Sequence, residues 1–259
     1  KMSTSYEGIF SILATPFDES GTLDTKSIRS LVDFNLKKGV HGITILGILG
    51  EAHKLNENER ETVIQVVIDE VAGRLPVIVG TSASGTELAA YYSEQAIELG
   101  ADGIMLAPPT NIKNLDAVYE YYKTISSRMD CPIVVQDEPN FSGVLMPPHF
   151  LARICTEIPN CNYIKLEESP TPRKLARTKE LLDENVGIFG GLGGVYFLEE
   201  LVRGASGTMT GFAFPEILVQ IYDAFKKGNV EEARSVFFDA TPLLRYEGQK
   251  DIGLAIRKE

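Results

Sequence analysis

The stretch Asn162-Tyr163-Ile164-Lys165-Leu166-Glu167-Glu168 carries the most chemically suggestive residue of the chain. A lysine in a short β-type run between apolar neighbours is costly to bury as an ammonium unless it is paired or gives up its proton. It can then act as an amine nucleophile; the plainer alternative is a strand-end lysine that reaches solvent or pairs with Glu167 or Glu168. Side chains alternate along a strand, so if Lys165 points inward, Tyr163 and Glu167 share its side and Glu168 does not. A lysine of lowered pKa attacks a ketone to form an iminium, which draws electrons from the adjacent carbon and makes carbon–carbon cleavage or β-elimination feasible.

Such a residue must be positioned by its frame. Gly8 to Phe17 reads as a strand ending at Thr15-Pro16, followed by a helix opening at Asp24-Thr25-Lys26-Ser27 and closing at Gly39. The alternation continues. Strands are expected at 42–46, 76–79, 103–106, 132–136, around Lys165, at 186–189 and at 207–210, with helical text between them. Eight short apolar strands separated by helices favour parallel pairing with right-handed crossovers, hence a closed (β/α)₈ TIM barrel rather than an open doubly wound sheet. Residues 1–214 would form the barrel and 215–259 a C-terminal helical extension, expected to be incomplete.

A barrel of this kind places its chemistry at the C-terminal ends of the strands. The positions to weigh there include Gly47 to Glu51, Thr110, Gln136 to Glu138, Lys165 to Glu168, Gly191 and Met209. The loop Gly47-Ile48-Leu49-Gly50 offers backbone N–H groups near a helix start, a seat for a substrate carboxylate, or else simply a glycine turn. Glu51 is read as structural, because its charge would repel that carboxylate. Gly191, in the run Gly190-Gly191-Leu192-Gly193-Gly194, lets backbone approach a ligand; the run matches no dinucleotide or P-loop fingerprint. His41, His53 and His149 are too scattered for a metal site, so no metal is expected.

Composition narrows the classes. The 259 residues are 44% hydrophobic and 24% charged, enough for one large domain with a substantial core. A formal net charge of −11 argues against broad binding to nucleic acid or anionic membranes. Cys131, Cys155 and Cys161 lack zinc-ligand spacing, and their odd number fits a reducing, cytoplasmic setting. No run approaches the roughly 18 apolar residues of a membrane span, and no signal-peptide core is evident.

Taken together, Ala14-Thr15-Pro16-Phe17, Gly-Ile-Leu-Gly-Glu at 47–51, Pro-Ile-Val-Val-Gln-Asp-Glu-Pro at 132–139, Ile164-Lys165 and Gly204-Ala205-Ser206-Gly207 resemble the dihydrodipicolinate synthase / N-acetylneuraminate lyase family over nearly the whole chain. The resemblance implies a barrel with C-terminal helices, a homo-oligomer (dimer or tetramer), no cofactor, and a covalent iminium between Lys165 and pyruvate or another 2-oxo acid.

The departures redirect the expected activity. Family members with synthase or neuraminate lyase activity carry hydroxyl residues where Ile48 and Leu49 stand, and a proton-shuttling tyrosine where this chain has Gln136. Gln136 can orient a substrate but cannot transfer a proton at neutral pH. Pro109-Thr110 replaces the usual aromatic pair, and Phe141 the arginine that often follows the strand-five motif. These changes argue against dihydrodipicolinate synthesis. They point to a metal-independent lyase, either a retro-aldolase releasing pyruvate or a dehydratase of a 2-keto-3-deoxy sugar acid; the alternative is a catalytically impaired 2-oxo-acid-binding or assembly protein. Catalysis is assigned to Lys165, Glu167 and Gln136, with Glu138 second after Glu167 for proton handling. Substrate contacts are assigned to Gly47, Ile48, Leu49, Gly50, Thr110, Glu138, Gly191 and Met209.

Overall fold

A computed structural model describes residues 5–110 and 112–259. Its centre is a closed barrel of eight parallel strands in chain order: β1 Gly8–Ile12, β2 Gly42–Ile45, β3 Val77–Gly80, β4 Gly103–Leu106, β5 Ile133–Asp137, β6 Tyr163–Leu166, β7 Gly187–Gly190 and β8 Gly207–Thr210. The expected (β/α)₈ barrel is therefore what forms. Every strand residue is buried, because side chains of one parity fill the barrel and those of the other lie under helices. The interior set is Tyr6, Phe10, Ile12, Ile78, Met105, Val134, Tyr163, Phe189 and Met209. Outward residues such as Val79, Ile104, Val135 and Ile164 belong to the larger core between sheet and helices. Truncating any one of these to alanine would cost about 2–4 kcal/mol in lost transfer energy and residual cavity.

Two glycines make closure possible. A Cβ on Gly207 would lie 1.9 Å from the Gly8 carbonyl oxygen, so β8 meets β1 only without a side chain there. A Cβ on Gly42 would lie 2.2 Å from the Phe10 ring, whose bulk plugs the bottom of the barrel.

The helices are α1 Thr25–Lys37, α2 Glu57–Val71, α3 Thr86–Glu98, α4 Leu115–Ser126, α5 Pro139–Ser142, α6 Pro148–Glu157, α7 Thr171–Lys179, α8 Phe197–Val202, α9 Pro215–Lys226, α10 Val230–Glu247 and α11 Gly253–Lys258. Their starts follow local chemistry: Asp24 accepts from Ser27 N at α1, and Asn56 with Glu59 forms a capping box at α2. The segment around Pro139 contains the single turn α5, with proline at its first position and Gly143 left-handed after it. The sequence reading groups α9 with the C-terminal extension; in the fold it packs on β1 and on α8, as the helix following β8 must. Helix α10 packs on α9, and α11 then turns back toward the C-terminal ends of the strands, where Lys258 bonds Glu51 and its ammonium lies over the Phe17 ring.

Candidate active site

Strands β5 and β6 run side by side with Gln136 opposite Lys165 and Asp137 opposite Leu166. Parallel register therefore brings residues just beyond both strands together at the barrel mouth. Lys165 is buried, 3% exposed, and its Nζ lies 3.0 Å from Glu167 Oε1. The other carboxylate oxygen of Glu167 accepts a hydrogen bond of 2.9 Å from Gln136 Nε2. Glu167 is thus fixed from two directions, with an ammonium on one oxygen and an amide on the other.

Gly191 supplies the floor beneath this carboxylate. A Cβ there would approach Glu167 Oε1 to 2.6 Å, so the glycine leaves the room that Glu167 occupies. Lys165, Glu167, Glu138, Ile48, Leu49 and Met209 line one open cavity of about 890 Å³. Arg257 of α11, held by Glu247 at 3.0 Å, reaches its rim. Gly47, Ile48, Thr110 and Gln136 line an adjoining cavity of about 390 Å³ that shares Ile48 and His53 with the first. Gly50 lines neither: it packs against the Leu46 backbone, and its carbonyl accepts the Thr15 hydroxyl at 2.6 Å.

The loop after β2 also differs in one respect from the sequence reading. Glu51 adopts a left-handed conformation and is followed by a single 3₁₀ turn, Ala52–Lys54, while α2 begins only at Glu57. Any carboxylate seat at residues 47–50 consists of loop backbone rather than the start of a long helix. Glu51 itself is bonded by Lys54 and Lys258, in keeping with a structural role.

Behind the site lie charged groups that sequence reasoning missed. Lys174, on α7, bonds Asp137 at 2.6 Å and also bonds Glu168. Burial pushes the Asp137 carboxyl up to about 7, against the opposing pull of Lys174. Glu200, on α8, is fully buried; it bonds the Thr171 hydroxyl and presses against Gly190, and burial pushes its carboxyl up to about 8. The polar residues of Thr-Pro-Arg-Lys and Leu-Glu-Glu read as ordinary helix surface, and nothing in their spacing reveals partners 29 to 37 positions away.

No group of three His, Cys, Asp or Glu residues able to hold a metal ion occurs among the described residues. Among these residues, no helix is long and apolar enough to cross a membrane. What the arrangement offers is an amine, a carboxylate within proton-transfer distance of it, and an open cavity of mixed apolar and charged lining in which an electrophile can meet both.

Known proteins share this frame. Residues 5–250 match the model of the dihydrodipicolinate synthetase family. The chain is 33% identical over 253 residues to an L-2-keto-3-deoxyarabonate dehydratase of Azospirillum brasilense, covering 95% of this chain and 81% of that one. It is 32% identical over 247 residues to a 4-hydroxy-tetrahydrodipicolinate synthase of Thermotoga maritima, covering 93% and 83%. The crystal structure of a dihydrodipicolinate synthase from Rhodopseudomonas palustris superposes with a TM-score of 0.92 at 35% identity, covering 98% of this chain and 86% of that one. A monomeric dihydrodipicolinate synthase variant superposes with a TM-score of 0.88 at 31% identity, covering 93% and 82%.

Proposed function

The chain belongs to the dihydrodipicolinate synthetase family, and from that premise we propose that it is a Schiff-base-forming dehydratase of a 2-keto-3-deoxy sugar acid. The observation that carries the reading is the Lys165–Glu167–Gln136 constellation at the mouth of the barrel. Glu167 accepts the Lys165 proton across 3.0 Å, which frees the amine to attack the 2-oxo carbon. Glu167 returns that proton to the carbinolamine hydroxyl, which leaves as water to give the iminium. The regenerated Glu167 carboxylate then takes a proton from C3, and the resulting enamine expels the C4 hydroxyl.

Gln136 supports this division of labour because it holds one oxygen of Glu167 while the other stays with the reacting nitrogen. Its amide cannot itself shuttle protons, so that work passes to Glu167. Ile48 and Leu49 line the cavity with alkyl groups, so these two positions offer a substrate carboxylate only their backbone. Similarity to the Azospirillum dehydratase favours dehydration over retro-aldol cleavage; the same chemistry at Lys165 serves either. The Thermotoga relative would favour synthase activity, which Gln136, Ile48 and Leu49 argue against. The reading includes a cytoplasmic homo-oligomer whose only covalent group is the substrate's own iminium, with no metal.

The test is direct. Incubation with pyruvate and borohydride should add one reduced adduct at Lys165, and 2-keto-3-deoxypentonate should be consumed with release of water. An unmodified lysine at saturating pyruvate would sink the proposal and leave a binding or assembly role. Trapping with aldehyde release instead of dehydration would shift it to the retro-aldolase.

A further inference from the structure

Dehydration needs two proton movements of opposite sense, one off C3 and one onto the departing hydroxyl. Glu167 answers for the first. We propose that Glu138 is the second catalytic carboxyl, the acid that protonates the C4 hydroxyl of a 4-hydroxy-2-oxo acid so that it leaves as water. This rests on the dehydratase reading above and adds a residue to it.

Three observations carry the assignment. Glu138 lines the same cavity as Lys165 and Glu167 while being 8% exposed, so most of its surface is withdrawn from water. Its two oxygens are in different situations: Oε1 accepts from Asn140 N at 3.0 Å and anchors the residue at the start of α5, whereas Oε2 is buried with no hydrogen-bond partner among the described residues. A buried carboxylate oxygen without a donor is a poor place for negative charge and a good place for a proton. Finally, burial first and the neighbouring Glu167 second push the Glu138 carboxyl upward, with only the Asn140 bonds and the Lys165 charge opposing them. Of the two carboxyl groups near the Lys165 amine, Glu167 has the ionic contact and Glu138 has none among the described residues.

The step balances. With the substrate held as an iminium on Lys165, Glu167 takes the C3 proton and the C3–H electron pair forms the enamine. That pair then forms the C3–C4 double bond and restores the iminium as the C4–O bond breaks. The departing oxygen takes the Glu138 proton and leaves as water. Glu167 ends protonated and Glu138 ionised, and one proton passing between them resets the site without any further reactant.

The experiment uses Glu138→Gln, which preserves shape and the Oε1 anchor but cannot deliver a proton. Three readouts separate the roles: borohydride trapping of pyruvate on Lys165, exchange of the C3 protons of 2-oxobutyrate in deuterated water, and elimination from 4-hydroxy- against 4-chloro-2-oxobutanoate. Chloride leaves without a proton; hydroxide does not. The expected result is that trapping, exchange and chloride release stay within about threefold of the natural protein, while water release falls roughly 100-fold or more. Water release within about tenfold of the natural rate, or equal losses of water and chloride release, overturns the proposal. If Glu138→Gln also loses trapping, Glu138→Ala with added formate decides: restored water release supports the acid role, and none overturns it. Absence of trapping in the natural protein overturns the Schiff-base reading itself, and this assignment with it.

Discussion

Two buried lysines stand on either side of the β5–β6 strand ends, and their surroundings differ in one decisive way. Lys174 lies between two carboxylates, Asp137 and Glu168. Lys165 is in direct contact with one, Glu167, which also bonds Gln136. Lys174 is tied on two sides by carboxylates behind the site, whereas Lys165 touches a single carboxylate and lines the open cavity of about 890 Å³ at the barrel mouth. Burial alone therefore does not distinguish the two lysines; the number of carboxylates in contact with each does.

The largest expected effect breaks the comparison at its centre. Lys165→Ala should abolish borohydride-trapped adducts and lower turnover by at least roughly 10⁴-fold. Lys174→Met should spare the adducts and act on stability. It leaves Asp137 buried without its cation, a loss of about 3–5 kcal/mol at pH 8 in denaturant unfolding, while trapping at Lys165 persists. That cost should shrink at pH 5, because the carboxyl, already pushed up to about 7, then takes a proton and no longer needs the ammonium. Equal losses of trapping in both variants would erase the distinction.

A carboxyl with no cation partner among the described residues extends the series. Glu200 is fully buried, is bonded to Thr171, and is pushed up to about 8 from an ordinary 4.5. A folded-state value above the unfolded one means that its contribution to stability is full below about pH 4.5. It declines as the unfolded chain ionises while the folded one does not, and it is lost as pH rises through 8. Unfolding free energy should fall by about 1–4 kcal/mol between pH 5 and 8, and Glu200→Gln should flatten that slope. A variant as pH-sensitive as the natural protein would place the titration elsewhere.

Much of the frame was legible in the sequence because it rests on local signals. The strands Gly103–Leu106 and Gly207–Thr210 have the expected bounds, and Asp24 marks a helix start in the ordinary way. The single turn after Pro139 was harder: one helical turn has no periodicity to read, and proline with glycine four positions later looks like a loop. At the site, strand alternation put Glu167 on the side of Lys165, and the contact exists. The Gln136–Glu167 bond was not readable, since it depends on the β5–β6 register and not on either segment alone. The Lys174 and Glu200 contacts lie further still from sequence, because a charged residue on a helix face looks the same whether its partner is water or a buried acid.

The smallest effect examines the bond that most distinguishes the two lysine sites. Gln136→Leu removes the amide from Glu167 while keeping the volume of a buried side chain that is 2% exposed. Glu167 would then hold its proton-accepting oxygen near Lys165 by the ion pair alone, free to rotate about its terminal bond. Loss of one hydrogen bond to a charged group corresponds to about 1.5–3 kcal/mol, or roughly 10- to 150-fold. Part of that should be recovered as the Lys165 contact tightens, so kcat should fall about tenfold. Trapping of pyruvate at saturation should persist, since the amine and its carboxylate are both still present. If kcat were unchanged and only KM rose, Gln136 would be binding substrate directly from the adjoining cavity it lines, and Glu167 would need no second support to do its work.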